Sequence, residues 1–335
     1  MVKHPKKKKL NRTKMMVSKY LKSRRDKIKA ADNALLNYIN STPKTRTISV
    51  DATLINHINS YYVRQTTLEK KVAKEASGTL EYKQLQNGDR YLYDISNIDE
   101  SKIEHHFFVP IKPSNYNWHT HPLQANIENK SSLSWPSGLD FVYLLENYTV
   151  VNTHFVFTAD GVYTMQITPK FLKFLHIFRN NINIFRILSK NILNMFASVE
   201  SERVKANPIF FDFIEMDDLK MNKSNTTISI KDVDTRNLIL NAIRAKNPSN
   251  LEAQRVILDF KSMPTNKFLE YANSRQLKSI LNEFQVVINA TDQQTCLRVF
   301  NTFQNIKLFN VKLFLSGNIN LVTTEVKFPS VVKVI

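Results

Sequence analysis

Trp118-His119-Thr120-His121-Pro122 and, after a spacer, Pro136-Ser137-Gly138-Leu139-Asp140 form the stretch around which the chain is organised. On an extended strand the side chains at i and i+2 leave the same face, so His119 and His121 can address one ion. Asp140 follows where an apolar run begins that reads as a helix. Two imidazole nitrogens and a carboxylate oxygen suit Zn2+, and three protein ligands leave a fourth position open, the layout of a catalytic site. The same residues support a second reading. Ser137-Gly-Leu-Asp140 ahead of an apolar run fits an N-terminal capping box, and a His-x-His pair also arises from unrelated strand residues.

A second element lies upstream, Glu75-Ala76-Ser77-Gly78-Thr79-Leu80. A glutamate, a glycine three residues on and then an apolar residue precede Trp-His-x-His-Pro and Ser-x-x-Asp in that order, and the combination resembles the JAMM/MPN metalloprotease family. Downstream, Thr153–Ile167 reads as two strands joined at Asp160-Gly161, where the family has a hairpin. The resemblance spans roughly residues 45–216. It implies a mixed sheet flanked by helices, Zn2+ held by His119, His121 and Asp140, Glu75 as general base, and Ser137 as donor to the developing oxyanion. The implied reaction is hydrolysis of an isopeptide bond between ubiquitin, or a ubiquitin-like protein, and a lysine.

The chain departs from the family pattern in its spacer. Fourteen residues separate Pro122 from Ser137, about twice the family's usual number, and doubling a flexible loop costs only about 0.6 kcal/mol in closure entropy. Leu123, Ile127, Leu133 and Trp135 give this loop the side chains of a lid or a substrate groove. The spacer, the basic N-terminus and an unassigned C-terminal half also motivate the alternative, a non-catalytic scaffold with this fold in a large assembly such as a viral capsid. The lysine- and asparagine-rich composition, beside a divergent JAMM-like domain, resembles proteins of large DNA viruses.

The 335 residues are 42% apolar, enough to build a core and to hold two domains. One cysteine, Cys296, allows no internal disulfide, which points to an intracellular, reducing setting in cytoplasm or nucleus, or to a virion assembled there. Of the net +18, most comes from residues 1–30, where thirteen Lys or Arg face one acid, Asp26. This stretch reads as a basic arm, helical after Lys14 or a solvated tail, suited to nucleic acid or an acidic protein surface. The basic start is not followed by an apolar run, so no signal peptide is expected. The most apolar segment, Phe171–Phe196, is interrupted by Lys173, Arg179 and Lys190, so no membrane span is expected.

Along the chain, Thr45–Val50 alternates as a strand, and Asp51 caps a helix bearing Leu54, Ile55, Ile58, Tyr62 and Leu68. Thr79–Leu85 and Arg90–Ile95 flank Asn87-Gly88 as a two-residue hairpin, and Ile103–Ile111 reads as a further strand. His105, His106, His57, His154 and His176 read as structural. Phe171–Phe196 has the spacing of one helix packed on two sides, and Ile209–Glu215 is a short strand that ends the JAMM-like domain (45–219). Lys220–Thr227 reads as a linker to a C-terminal α+β interaction module (228–335). Helices are expected there at 235–245, 249–260, 266–284 and 292–303, then a terminal hairpin of Phe309–Leu315 and Ile319–Phe328.

Overall fold

In the computed structural model, which describes residues 6–66, 75–100, 109–122, 136–158, 161–200, 214–216, 219–221, 226–228, 299, 302–303, 306–314 and 318–329, the chain opens on one helix, α1 (Lys6–Asn40). The basic arm is thus helical well before Lys14. Its middle is exposed, including Met16, Val17, Tyr20, Leu21 and Ile28, while Leu35, Tyr38 and Ile39 near its end are buried. Helix C-terminal carbonyls need partners that the helix itself cannot supply. Here Lys173 Nζ donates to the Ile39 carbonyl at 2.9 Å and to that of Ser41.

Strand β1 (Lys44–Val50) ends at Asp51, whose carboxylate accepts the Leu54 N–H at 2.9 Å and so starts α2 (Ala52–Thr66). Leu54, Ile55 and Ile58 face the core as expected; the side chains of Tyr62 and Leu68 lie outside the described residues. Then come β2 (Ala76–Gln84), β3 (Arg90–Glu100), β4 (Tyr116–Thr120), α3 (Gly138–Glu146), β5 (Thr153–Phe157) and β6 (Val162–Ile167). Helices α4 (Pro169–Ile177) and α5 (Ile182–Glu200) follow, then β7 (Ile214–Met216), β8 (Leu219–Met221), β9 (Thr226–Ile228), β10 (Phe309–Phe314) and β11 (Ile319–Glu325).

The strands make one mixed sheet in the order β11-β1-β3-β2-β4-β5-β6-β10-β8-β9, with β7 also on β10. Its first eight strands curl into a near barrel. The Thr323 hydroxyl of β11 donates to the Asn152 side-chain carbonyl just before β5, and a cavity of about 750 Å³ lies between β11 and the β6–β10 side. Glu325 Oε1 ties this edge inward, 2.7 Å from Arg46 Nε on β1 and 2.8 Å from Arg90 Nη2 on β3. Arg90 Nη1 in turn donates to Tyr116 Oη on β4 at 2.7 Å.

Alternation assigns the two faces of the central strands. Ala76, Leu80, Tyr116, Trp118, Phe155 and Phe157 point into the core under α2. The intervening residues, Ser77, Asn117, His119 and His154, are buried on the opposite face, which α3 covers. The antiparallel register of β2 on β4 pairs Ser77 with His119 and Gly78 with Trp118. A Cβ at Gly78 would sit 2.7 Å from the Trp118 indole nitrogen, so a side chain there would push the two strands apart.

Several elements differ from the sequence reading. Asn87-Gly88 does not form a two-residue turn: Gly88 has φ +87° and donates to the Leu85 carbonyl at 2.9 Å, while among described non-glycine residues only Asn97 has positive φ. A type I′ turn needs positive φ at both central residues, so this is a three-residue loop closed by a left-handed glycine. The expected helix over 171–196 is two helices. Pro169 follows the Thr168 N-cap, and α4 stops where Phe178 N–H bonds to Phe174 O; Arg179-Asn180-Asn181 then turns the chain, since asparagine favours local turns over helix interiors. The expected linker carries β8 and β9, paired antiparallel, because Thr226, Thr227 and Ile228 are β-branched. The terminal strands form where expected but not as a hairpin: β10 pairs with β6 and β11 with β1.

Of Ile103–Ile111, only Val109–Ile111 is described, and it is not strand. His105, His106, the spacer 123–135 and nearly all of 229–305 lie outside the described residues. Among the described residues no helix is long and apolar enough to cross a membrane.

Two predictions follow from these contacts. Gly78→Ala should destabilise the protein by about 1–3 kcal/mol, the usual cost of overpacking, read by chemical denaturation; an unchanged midpoint would contradict the Gly78–Trp118 approach. His176, which bonds Tyr38 Oη through Nδ1 at 3.1 Å, is pushed by burial and by Arg179 from 6.5 down to about 4. Between those values the unfolded chain binds a proton that the folded chain refuses. Wild type should therefore lose stability relative to His176→Gln as pH falls from about 6.5 to about 4, with a constant difference above and below that window. A pH-independent difference across it would contradict the burial argument.

Candidate metal centre

Strand β4 carries His119 to the buried face of the sheet, and the next residues stay in register with β5, since His121 N–H donates to the Phe157 carbonyl at 2.8 Å. The two imidazoles thus leave one face, as their i, i+2 spacing predicts. Their Nε2 atoms are 2.9 Å apart. Helix α3 brings the third group: Asp140 Oδ1 lies 3.2 Å from His119 Nε2, and Oδ2 lies 3.4 Å from His121 Nε2. All three residues are buried, with 2%, 6% and 6% of their surfaces exposed. A tetrahedral zinc ion with bonds of about 2.0–2.1 Å spaces its ligand atoms about 3.3 Å apart. The Nε2 atoms at 2.9 Å and the two Asp140 oxygens at 3.2 and 3.4 Å, one to each imidazole, are close to that spacing, and the donor types suit the ion.

Asp140 satisfies both readings of its motif. Its Oδ2 accepts the Ser137 backbone N–H at 2.5 Å, and Ser137 Oγ accepts the Asp140 N–H at 3.4 Å, a complete capping box at the start of α3. The cap fixes the carboxylate that faces the imidazoles. Ser137, partly buried at the N-cap, uses an oxygen lone pair for this bond and keeps its hydroxyl hydrogen to donate elsewhere. Gly138 follows because α5 packs closely there; a Cβ would lie 3.0 Å from Phe196 Cγ.

Glu75 directly precedes β2, 7% exposed. Continuing the register Ser77–His119 by two residues sets it opposite His121, on the same face as the cluster. It is not among the three groups that converge, yet its charge reaches them. Burial works against a proton on His119, but Asp140 and then Glu75 outweigh it and hold the imidazole above its ordinary value. Burial also opposes ionisation of Asp140, and His119 with His121 overrides it, keeping the carboxyl well below the usual carboxylate range. The point between these side chains attracts positive charge.

One participant is missing from the sequence reading of the site. His154 is fully buried on β5, directly opposite Asn117 in the parallel register. It is a packed histidine, as expected, but it packs on the centre: Nε2 lies 2.8 Å from His119 Nδ1 and Nδ1 lies 2.6 Å from Asn117 Oδ1. Burial and the neighbouring His119 push it well below the ordinary imidazole value. The signal is a pair of polar residues, Asn117 and His154, each flanked by large apolar or aromatic strand residues such as Tyr116, Trp118 and Phe155; buried polar groups must find partners. His57 is exposed on α2, and His176 reaches from α4 to Tyr38 of α1.

Zinc at a hundredfold excess over its Kd should raise stability by about 2.7 kcal/mol, measured as a shift in Tm. His121→Ala and Asp140→Ala should each remove that increment. The increment is the readout, since Asp140 also caps α3; an undiminished gain in Asp140→Ala would place the ion elsewhere. Comparison of the chain with protein-family models, with curated proteins and with solved structures gave no match in any of the three, so the JAMM resemblance rests on Glu75, His119, His121, Ser137 and Asp140 themselves.

Proposed function

We propose that the protein is a zinc-dependent isopeptidase acting on ubiquitin-type conjugates. One observation carries the reading: the ligand atoms of His119, His121 and Asp140 lie within 4.8 Å of one another, while Glu75, buried just before β2, is set by the strand register opposite His121 on the same face. Zinc, when bound, supplies Lewis acidity that brings the pKa of water towards neutrality. The protein's own groups do the rest. Glu75, held off the ligand set, accepts the proton of the attacking water at its carboxylate and returns it to the leaving lysine amine. The Ser137 hydroxyl hydrogen, not used by the cap, donates to the carbonyl oxygen as charge develops on it. With zinc bound, His119 and His121 would turn their Nε2 lone pairs to it, and Asp140 would add the one formal negative charge of the ligand set.

A second reading, a scaffold that holds zinc for stability alone, is favoured by the deep burial of the three ligands, at most 6% exposed. The two readings part at Glu75. Glu75→Gln should lower cleavage of ubiquitin chains by about 10²–10⁴-fold, the range for loss of a general base, while zinc content stays near one per chain. Cleavage undiminished in the variant would refute the assigned base. Zinc at full occupancy in a wild-type protein that cleaves no conjugate would leave the scaffold reading in place.

A further inference from the structure

We propose that Asn117 and His154 form a tautomer relay that fixes a hydrogen on His119 Nδ1, so that Nε2 is the nitrogen His119 turns to His121 and Asp140. The inference rests on the zinc reading for the identity of the ion, but the relay itself exists in the metal-free chain.

A backbone carbonyl can only accept a hydrogen bond. The Lys112 backbone carbonyl lies 3.4 Å from Asn117 Nδ2, which also donates to Tyr143 Oη at 2.7 Å. Only the NH2 side of an amide can face a carbonyl, so Asn117 Oδ1 points the other way, to His154 Nδ1 at 2.6 Å. An amide oxygen has no hydrogen to give. His154 Nδ1 therefore carries one, and in neutral His154 the Nε2 is bare. That atom lies 2.8 Å from His119 Nδ1, which must supply the hydrogen of this bond. His119 Nε2 is then the nitrogen left for the ion, and it is this atom that lies 2.9 Å from His121 Nε2 and 3.2 Å from Asp140 Oδ1.

The backbone makes the relay rigid. Asn117 and His119 are i, i+2 on β4, and Asn117 is paired with His154 across the parallel ladder. The His119 and His154 planes differ by only 13° with centroids 4.8 Å apart. The facing nitrogens of the two rings are 2.8 Å apart. Asn117 and His154 are both fully buried. Bulk water does not compete for these bonds, and a hydrogen on the wrong nitrogen would leave two acceptors facing each other in a dry interior. Asn117 and His154 are positioning residues: they touch no ion, yet they decide which atom of His119 does.

The test uses the full chain with [15N]histidine. Long-range 15N–1H correlation spectra of the metal-free protein should show His119 and His154 both with hydrogen on Nδ1. His119 with a bare Nδ1 overturns the relay, whatever the metal does. Zinc affinity, measured by competition with a chelator, should fall about 10–100-fold in His154→Phe, which offers no acceptor. In His154→Gln, whose Oε1 can accept the same hydrogen, most of the affinity should return. Equal losses in the Phe and Gln variants at wild-type melting temperature, or no loss in the Phe variant, would overturn the relay. Wild type with the Nδ1–H tautomers but no affinity for zinc would support the relay and refute the zinc reading.

Discussion

Two imidazoles and a carboxylate lie together in the interior, and keeping them there is the constraint on which the surrounding architecture depends. An isolated buried carboxylate costs several kcal/mol, and the cost is met only where geometry supplies compensating partners. Asp140 receives them from two directions: the Ser137 N–H at the start of α3 and the two Nε2 atoms from the end of β4. The arrangement requires α3 to begin at the sheet's buried face, and it requires β4 to run with His119 on that face. Shifting β4 by one residue would turn Trp118 to the polar side and His119 into the apolar core under α2.

Register is therefore what the rest of the fold protects. Gly78 admits the Trp118 indole from β2, Phe155 and Phe157 pack beside it from β5, and α2 closes that side. The opposite face of the same three strands collects Glu75, Ser77, Asn117, His119, His121 and His154. Apolar packing on one face thus sets the angular precision of the polar groups on the other, which is how a scaffold holds ligands to the tolerance a metal demands. The closing of the sheet, with β11 on β1 and β10 on β6, holds this unit from both edges.

The buried His119–His121–Asp140 cluster is legible in the sequence because its signals are local. His119 and His121 follow from a two-residue period, and Asp140 from the start of a helix. Metal ligand and capping box look like alternatives in the sequence because sequence does not show the two oxygens of one carboxylate meeting different partners. His154 could not be given its role from local pattern, since its contact with His119 depends on a parallel pairing between strands about 35 positions apart. The same limit explains the terminal strands. Phe309–Phe314 and Ile319–Glu325 have clear strand patterns, but pattern does not name the neighbour, and a sheet that curls offers each a partner elsewhere. The break at Arg179-Asn180-Asn181 was visible as polar residues inside an apolar segment and was outweighed by the helical period on either side.

The position of a bound ion separates a metal centre from a buried polar cluster. Crystals of the full chain grown with zinc, with anomalous diffraction collected on both sides of the zinc edge, address it most directly. A single anomalous peak about 2.0–2.2 Å from His119 Nε2, His121 Nε2 and an Asp140 carboxylate oxygen is the predicted result. A peak coordinated by other residues, or one reached through His119 Nδ1, would contradict the account, as would no peak at this position in protein shown to contain zinc.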